Sequence, residues 1–103
     1  MLKYEYQRAR PRADEAAELL GAMANPKRLL ILCHLLGREL SVGELSEKVG
    51  LAQSLLSQHL SKLRALRLVA ARRDGQSIHY RSASAEFEKV LTTLHGIYCT
   101  PRS

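Results

Sequence analysis

The stretch from Leu40 to Arg81 constrains the fold more than any other part of this 103-residue chain. Two short helical patterns meet at Gly50, and a basic hairpin pattern with the turn Asp74-Gly75 follows them. Asp-Gly between two strand-like segments is the strongest short-range sign of a β-hairpin. Two helices joined by a tight turn and followed by a hairpin indicate a winged helix-turn-helix. DNA is therefore the first partner to expect.

The two helical patterns leave different faces outward. Ser41 to Glu44 has the spacing of a capping box, which predicts a short positioning helix, Val42–Val49, that ends at Gly50. The second pattern runs from Ala52 to about Leu66 and directs four leucines inward: Leu55, Leu56, Leu60 and Leu63. Its outward face is short, polar and almost without acid, so it can lie in a major groove without repelling phosphate. That face comprises Gln53, Ser54, Ser57, Gln58, Ser61 and Lys62.

Helical spacing on both sides predicts the rest of one domain. Apolar residues follow one helical face over residues 13–23, and Asn25-Pro26 then supplies a cap and a first-turn proline for a second helix that stops at Gly37. A last helix is predicted from about Ser84 to Tyr98, and homodimerisation would bury its apolar stripe best. We expect a mainly α fold with a small β-hairpin, in the order α1-α2-α3-α4-hairpin-α5.

The net charge of +6 is unevenly distributed. Residues 62–81 carry +5 and residues 1–12 carry +3, whereas residues 13–61 carry −2. A basic excess on the hairpin and its approach fits a phosphate-binding surface. The length allows one core and no second catalytic domain. We expect a flexible basic arm at residues 1–12, the winged helix domain at 13–99 and a short tail at 100–103.

No apolar stretch reaches the roughly 18 residues that suggest a membrane span, and the N-terminus lacks the apolar core of a signal peptide. We therefore expect a cytoplasmic protein without a membrane partner. In a reducing compartment two cysteines are more often thiols, metal ligands or a redox switch than a structural disulfide. The positions of Cys33 and Cys99 thus need an explanation.

In combination, these residues resemble the ArsR/SmtB family of small bacterial repressors. The resemblance covers about residues 13–99 and rests on several runs taken together: Ala24 to Leu32, Glu44-Leu45, Gln53-Ser54, Ser57 to Leu60 with Leu63, and Arg72 to Gly75. It implies a homodimer that binds an inverted-repeat operator in double-stranded DNA and leaves it when an inducer arrives. It also implies neither enzymatic activity nor a cofactor.

The resemblance places the helix that reads DNA at Gln53 to Leu63. It implies base-edge or phosphate contacts by six of its residues: Gln53, Ser54, Ser57, Gln58, His59 and Lys62. His59 is as well suited to contact phosphate as a base. From the wing, Arg72, Arg73 and Gln76 would contact phosphate or the minor groove, whereas Tyr80 would pack the wing onto the body.

Two metal sites of the family lack their ligands in this sequence. Related sensors carry Cys-Val-Cys-Asp on α3, where thiolates bind a soft ion, but this chain has Ser41-Val42-Gly43-Glu44. At the site on α5, His95 remains, and serines occupy positions 82 and 84. Because one ligand of four does not make a zinc site, we predict that neither metal site is present.

Cys33 on α2 and Cys99 at the end of α5 resemble the persulfide-sensing branch of the family, the sulfide-responsive and biofilm growth-associated repressors. In that branch, persulfides derived from hydrogen sulfide join two thiols through a disulfide or polysulfide. Such a bridge would move α5 relative to the core and change the spacing of the two reading helices. Taken singly, each cysteine is more often a small buried hydrophobic residue. His34 and His95 offer weak support for a thiolate, because sequence neighbours on a helix point in different directions.

Three alternatives remain open at this point. A metal is the inducer in the first, with Cys33, Cys99 and a histidine as non-standard ligands. In the second, the winged helix binds a protein partner and does not regulate transcription, so its binding to DNA would show no salt dependence. The third is an enzyme with a Cys/His couple, which is the least favoured because a single domain offers no third orienting group.

Overall fold

A computed structural model describes the backbone of residues 3–98 and the side chains of residues 12–98. Its elements follow the order α1 (Lys3–Met23), α2 (Pro26–His34), β1 (Leu40–Ser41), α3 (Val42–Val49), α4 (Gln53–Ala65), β2 (Val69–Asp74), β3 (Ser77–Ser82) and α5 (Ala85–Tyr98). The predicted winged helix-turn-helix order is confirmed, with the short strand β1 added. Cys99 and the predicted tail at 100–103 lie outside the described residues.

The three strands form one antiparallel sheet in the order β1-β3-β2. Strand β1 was not predicted, because two residues are too few to show the alternation of a strand. It places Leu40 opposite Tyr80 and Ser41 opposite His79. The hairpin of β2 and β3, residues 69–82, is the wing. Since α3 begins directly after Ser41, β1 attaches the base of the wing to the helix-turn-helix.

One hydrophobic core joins α4 to the rest of the domain. Leu56, Leu60 and Leu63 have no exposed surface, and their spacing puts them on a single helical stripe. They share this core with Phe87 and Leu91 of α5. Tyr80 is half-buried and packs against the core, as predicted for a residue that holds the wing to the body. The core contacts of α4 therefore fix which of its faces is directed outward.

Side-chain caps confirm the predicted starts of α2 and α3. The Asn25 side chain accepts hydrogen bonds from the backbone N–H groups of Lys27 and Arg28, at 2.9 and 3.1 Å. The capping box of α3 is complete, because Ser41 N–H donates to Glu44 Oε1 at 2.9 Å and Glu44 N–H donates to Ser41 Oγ at 3.1 Å. At Gly50 the chain turns with a φ of +68°, a conformation that favours glycine.

The start of α1 corrects the predicted boundary. The helix begins at Lys3 rather than Ala13, so the backbone of residues 3–12, for which a flexible arm was predicted, is helical. Most residues before Pro11 have favourable or neutral helix propensity, including Glu5, Gln7 and Arg8. Proline removes one backbone donor, which can kink a helix without ending it. No helix within the described residues is both long and apolar enough to cross a bilayer.

Two predictions, one for α4 and one for the wing, were also wrong. Leu55, predicted to face inward, is 42% exposed, because it lies about 100° around the helix from Leu56. The turn of the wing is Gly75-Gln76 rather than Asp74-Gly75, since Asp74 pairs with Ser77 in the ladder. Gly75 has a φ of +65°, which suits the first central position of a two-residue hairpin turn.

Candidate nucleic-acid interface

The outward side of α4 forms a polar surface, which we call the reading face. It carries the side chains predicted to meet DNA: Gln53, Ser54, Ser57, Gln58, His59 and Lys62. All are exposed except His59, which is half-buried. Among the described residues, none of these side chains enters a hydrogen bond or an ion pair. Their donors and acceptors are therefore available to a partner.

The reading face and the wing tip border the same groove. Gln53 and Ser57 line one side of it, and Gln76 and Ile78 line the other. The beginning of α3, from Ser41 to Gly43, closes its end. The structure thus brings the predicted contact residue Gln76 close to the predicted contacts on α4. Ile78, an apolar residue that is 42% exposed, also borders the groove and was not among the predicted DNA contacts.

The strand register places the two wing arginines on opposite faces of the sheet. Arg72 lies opposite His79, whereas Arg73 lies opposite Ile78. Because side chains alternate along a strand, Arg73 shares its face with Tyr80, which packs against the core, and with Ile78, which borders the groove. Arg72 belongs to the outer face, away from the core. These arginines were predicted as equivalent contacts, and their surroundings differ.

Arg72 has a close carboxylate partner. Its Nη2 lies 2.6 Å from Glu39 Oε1, and its Nε donates to the same oxygen at 2.8 Å. The hydrogen bond from Arg72 lowers the pKa of Glu39, and the same bond raises the pKa of Arg72. In contrast, Arg73 Nε donates to the backbone oxygen of Gly75 at 3.2 Å. The charge of Arg72 is thus partly compensated within the protein. No ion pair of Arg73 occurs among the described residues.

The contact of Glu39 with Arg72 was not predicted, because it depends on strand β1. Glu39 directly precedes that strand, and the antiparallel pairing of β1 with β3 brings it to the outer face of the wing. An acidic residue 33 positions before an arginine gives no local pattern. Strand alternation alone would have placed Arg72 and Arg73 on opposite faces, and only the register with β3 shows which face meets the core.

Of the two predicted sensing thiols, the structure describes Cys33. It is half-buried on α2 and packs against the core, and α2 contacts α5. Cys99 lies outside the described residues, directly after Tyr98, which is 79% exposed. Helices α2 and α5 are therefore in contact, and the close approach of the Cys33 and Cys99 thiols stays a prediction.

The histidine next to Cys33 is a poor source of positive charge. Burial lowers the pKa of His34, and the nearby charges of Arg38 and Lys48 lower that pKa further. Arg38 Nη2 lies 3.1 Å from His34 Nδ1, and because a guanidinium can only donate, Nδ1 accepts in this arrangement. His34 is therefore neutral near neutral pH, and the weak suggestion that it activates Cys33 is not supported.

The family's metal-ligand positions on α3 have a structural role here. Ser41 caps the helix through its hydroxyl group, and Gly43 is exposed. Within residues 12–98, no three side chains from histidine, cysteine, aspartate and glutamate gather in a way that could hold a metal ion. His95 is exposed on α5, and Ser82 and Ser84 are half-buried at the end of β3 and just before α5.

Apolar side chains remain exposed on the two terminal helices. Leu20 on α1 is 55% exposed, and Ile97 near the end of α5 is 64% exposed. A groove between these helices is lined by Leu19 and Val90, among others. Large exposed apolar residues are found at protein interfaces. Leu20 and Ile97 lie on α1 and α5, the helices for which dimerisation was predicted.

Comparison with known sequences gives several close relatives. The family model described as bacterial regulatory protein, arsR family, matches residues 25–71. The nodulation protein NolR of Rhizobium meliloti is 59% identical over 86 residues, which cover 84% of this chain and 70% of NolR. The transcriptional activator HlyU of Vibrio cholerae is 51% identical over 82% of this chain and 79% of its own length. The biofilm growth-associated repressor of Xylella fastidiosa is 40% identical over 86% and 78%.

Solved structures give the same result. Reduced HlyU from Vibrio cholerae superposes with a TM-score of 0.88 at 47% identity, over 91% of this chain and 99% of that one. The repressor BigR from Xylella fastidiosa gives 0.85 at 35% identity, over 98% and 100%. A homodimeric winged helix-turn-helix DNA-binding domain from Mycobacterium bovis gives 0.77 at 29% identity, over 87% and 83%. By sequence and by fold, this chain belongs to the ArsR family of bacterial transcriptional regulators, which are DNA-binding proteins and not enzymes.

Proposed function

We propose that this protein is a homodimeric transcriptional repressor that binds an inverted-repeat operator in double-stranded DNA, in the cytoplasm. A dimer with twofold symmetry would present its two reading faces to two half-sites about one helical turn apart. The exposed apolar residues of α1 and α5, including Leu20 and Ile97, support dimerisation through these helices. The homodimeric Mycobacterium bovis domain provides a related precedent.

The observation that carries this proposal is the common groove of α4 and the wing. Gln53, Ser57 and Gln76 border one space, so a duplex that receives α4 in its major groove can also meet the wing tip. The amides of Gln53 and Gln58 can donate to and accept from base edges, and Lys62 and Arg73 can contact phosphate. Selection of binding sites from a random duplex pool would give the operator. Recovery of no inverted repeat would contradict the proposal.

The direction of regulation needs its own experiment, because one relative is named an activator and another a repressor. We favour repression because a dimer bound across a promoter excludes polymerase without any further surface. A reporter gene behind the selected operator should be expressed weakly with the protein present and strongly without it. Higher expression in the presence of the protein would show activation instead.

For the signal, we propose that persulfides release the protein from DNA by joining Cys33 to Cys99. One thiolate attacks the outer sulfur of a persulfide R–S–SH, which releases R–SH and leaves a cysteine persulfide. The second thiolate then attacks the protein-bound sulfur and forms the disulfide, with hydrosulfide as the leaving group. The persulfide is the oxidant, and two thiols plus R–S–SH give a disulfide, R–SH and H₂S. Transfer of one more sulfur atom from a second R–S–SH, with release of a second R–SH, would lengthen the bridge to a trisulfide.

Three observations support the switch. Cys33 lies on a helix that contacts α5, and Cys99 directly follows the last described residue of α5. Ser41 caps α3 at a position where metal sensors of the family carry a ligand. Finally, one solved structure of a relative is described as reduced HlyU from Vibrio cholerae.

The test is operator binding with and without an inorganic polysulfide, in the wild-type protein and in the variants Cys33→Ser and Cys99→Ser. Polysulfide should release the wild-type protein and neither variant, and reduced glutathione, which lacks transferable sulfur, should release none of them. Mass spectrometry should identify a peptide in which Cys33 and Cys99 are joined. If both variants still respond, these thiols are not the switch. Release by stoichiometric zinc or copper instead would favour the metal-responsive alternative.

A further inference from the structure

Glu39 makes the shorter of the two ion pairs of Arg72 on the wing. Its Oε1 receives both Nε and Nη2 of Arg72, at 2.8 and 2.6 Å. His79 and Arg81 also lower the pKa of this carboxylate electrostatically, by less than Arg72 does. Glu39 thus lies among three basic groups on the outer face of the sheet. The residue belongs to the body of the protein, because it comes before strand β1.

We propose that Glu39 is an internal competitor for the DNA backbone, which holds the Arg72 guanidinium and thereby weakens binding to duplexes of any sequence. This inference rests on the proposed DNA-binding function. Carboxylates and phosphates bind guanidinium groups through the same donors, so one arginine edge cannot fully serve both. Here Nε and Nη2 of Arg72 are already directed to one oxygen of Glu39.

Exposure makes the exchange possible. The side chains of Arg72 and Glu39 are 48% and 29% exposed, so a phosphate can approach the pair without any rearrangement of the core. Ion pairs at such positions are weak because water competes with them, and a duplex with its high phosphate density can displace the carboxylate. Arg72 would therefore contribute to DNA binding only after it leaves Glu39. The effect would lower the affinity for specific and non-specific duplexes alike, since base contacts by α4 do not involve this pair.

The structure supplies a matched control in Asp74. Its Oδ2 lies 3.9 Å from Arg72 Nη1, beyond hydrogen-bond distance, and its side chain is 69% exposed. The variants Glu39→Gln and Asp74→Asn each raise the net charge by the same amount. They differ in whether the lost carboxylate held Arg72 directly. A comparison of the two therefore separates release of Arg72 from a general increase in positive charge.

The experiment measures fluorescence anisotropy of a labelled duplex of about 30 base pairs, long enough for two half-sites, over a range of salt concentrations. We use the full-length protein with both a selected operator and a scrambled duplex. Glu39→Gln should raise affinity for the scrambled duplex about 3- to 10-fold at low salt and steepen the salt slope by about 0.9, as for one additional phosphate contact. Asp74→Asn should raise the affinity less than about twofold, because its carboxylate does not hold the guanidinium.

The same substitution in a protein that lacks the Arg72 guanidinium tests whether the effect of Glu39→Gln acts through Arg72. In Arg72→Gln protein, the substitution Glu39→Gln should raise the affinity no more than Asp74→Asn does, because the guanidinium that it would release is absent. Equal effects of Glu39→Gln and Asp74→Asn would overturn the proposal, as would a full-sized effect of Glu39→Gln in the Arg72→Gln background. Weaker binding by Glu39→Gln would show that Glu39 positions Arg72 for DNA instead. If the wild-type protein shows no salt-dependent binding to either duplex, the proposed DNA-binding function itself fails, whereas normal wild-type binding with an unchanged variant refutes the role of Glu39 alone.

Discussion

The reading face of α4 and the wing offer DNA two different kinds of surface. The reading face is polar with little charge, and its side chains make no hydrogen bonds or ion pairs within the described residues. The wing is strongly charged, and its Arg72 already has a partner in Glu39. Amides and hydroxyls without partners in the described residues suit the reading of base edges, whereas a partly compensated arginine such as Arg72 suits adjustable attraction to phosphate. We infer that α4 determines sequence preference and that the wing adjusts overall affinity.

The two surfaces also depend on the core to different degrees. Leucines on the opposite side of α4 are fully buried, so the position of the reading face follows directly from core packing. The tip of the wing extends beyond the core, and from Arg72 to Ile78 every residue is exposed. A change in the core should therefore affect α4 first, and a change in charge should affect the wing first.

The largest expected effect comes from the inner side of α4. Leu60→Ala removes a side chain with no exposed surface and should lower the free energy of unfolding by about 2–5 kcal/mol, because the buried volume is lost and a cavity remains. Leu55→Ala, a matched leucine on the same helix that is 42% exposed, should cost less than about 1 kcal/mol. Urea unfolding at one protomer concentration measures both values. Equal losses would show that Leu55 is buried in the assembled protein, for example at a subunit interface.

The next effect should separate base reading from phosphate contact. Gln58→Ala should change base preference at one operator position by about 1–3 kcal/mol, because an amide can make two hydrogen bonds to a base edge. Binding to a scrambled duplex should change little. Site selection with wild-type and variant protein measures the preference. Identical selected sequences would assign Gln58 to the backbone or to solvent, and would shift base reading to its neighbours on the reading face.

The predictions from sequence succeeded where a local pattern determines the structure. The capping box at Ser41, the glycine stop at position 50 and the inward spacing of Leu56, Leu60 and Leu63 act within a few residues and are confirmed, whereas the inward position predicted for Leu55 is wrong. They failed where distant segments meet. Strand β1 has two residues and exists because it pairs with β3, and the Glu39–Arg72 contact depends on that pairing. The contact residues of the reading face are exposed as predicted, but exposure does not show that they touch DNA.

A smaller effect should distinguish the two wing arginines. Arg73→Ala should weaken binding to all duplexes by up to about tenfold and flatten the salt slope by about 0.9, because one phosphate contact is lost. Arg72→Ala should have less than half of this effect on the logarithm of the affinity, since Glu39 already compensates its charge. Salt titrations with a scrambled duplex measure both. Equal effects would show that the surroundings of the two arginines do not matter for binding.

The smallest effect is a pH dependence of stability that belongs to the body of the protein rather than to either DNA-binding surface. The pKa of His34 is lowered from its ordinary value of 6.5 by burial and by the charges of Arg38 and Lys48. The unfolded chain therefore binds a proton more readily than the folded one, so this histidine favours folding above its ordinary pKa, and its contribution is lost as the pH falls through the lowered value. In His34→Asn protein, the melting temperature should decrease less between about pH 7.5 and about pH 5.5 than in the wild type.

In Arg38→Gln the pH dependence should be reduced but not removed, because burial remains the larger cause. An identical decrease in wild-type and His34→Asn protein would assign the pH dependence to other groups. DNA affinity at constant pH should be unchanged in His34→Asn, because His34 lies outside the reading face and the wing.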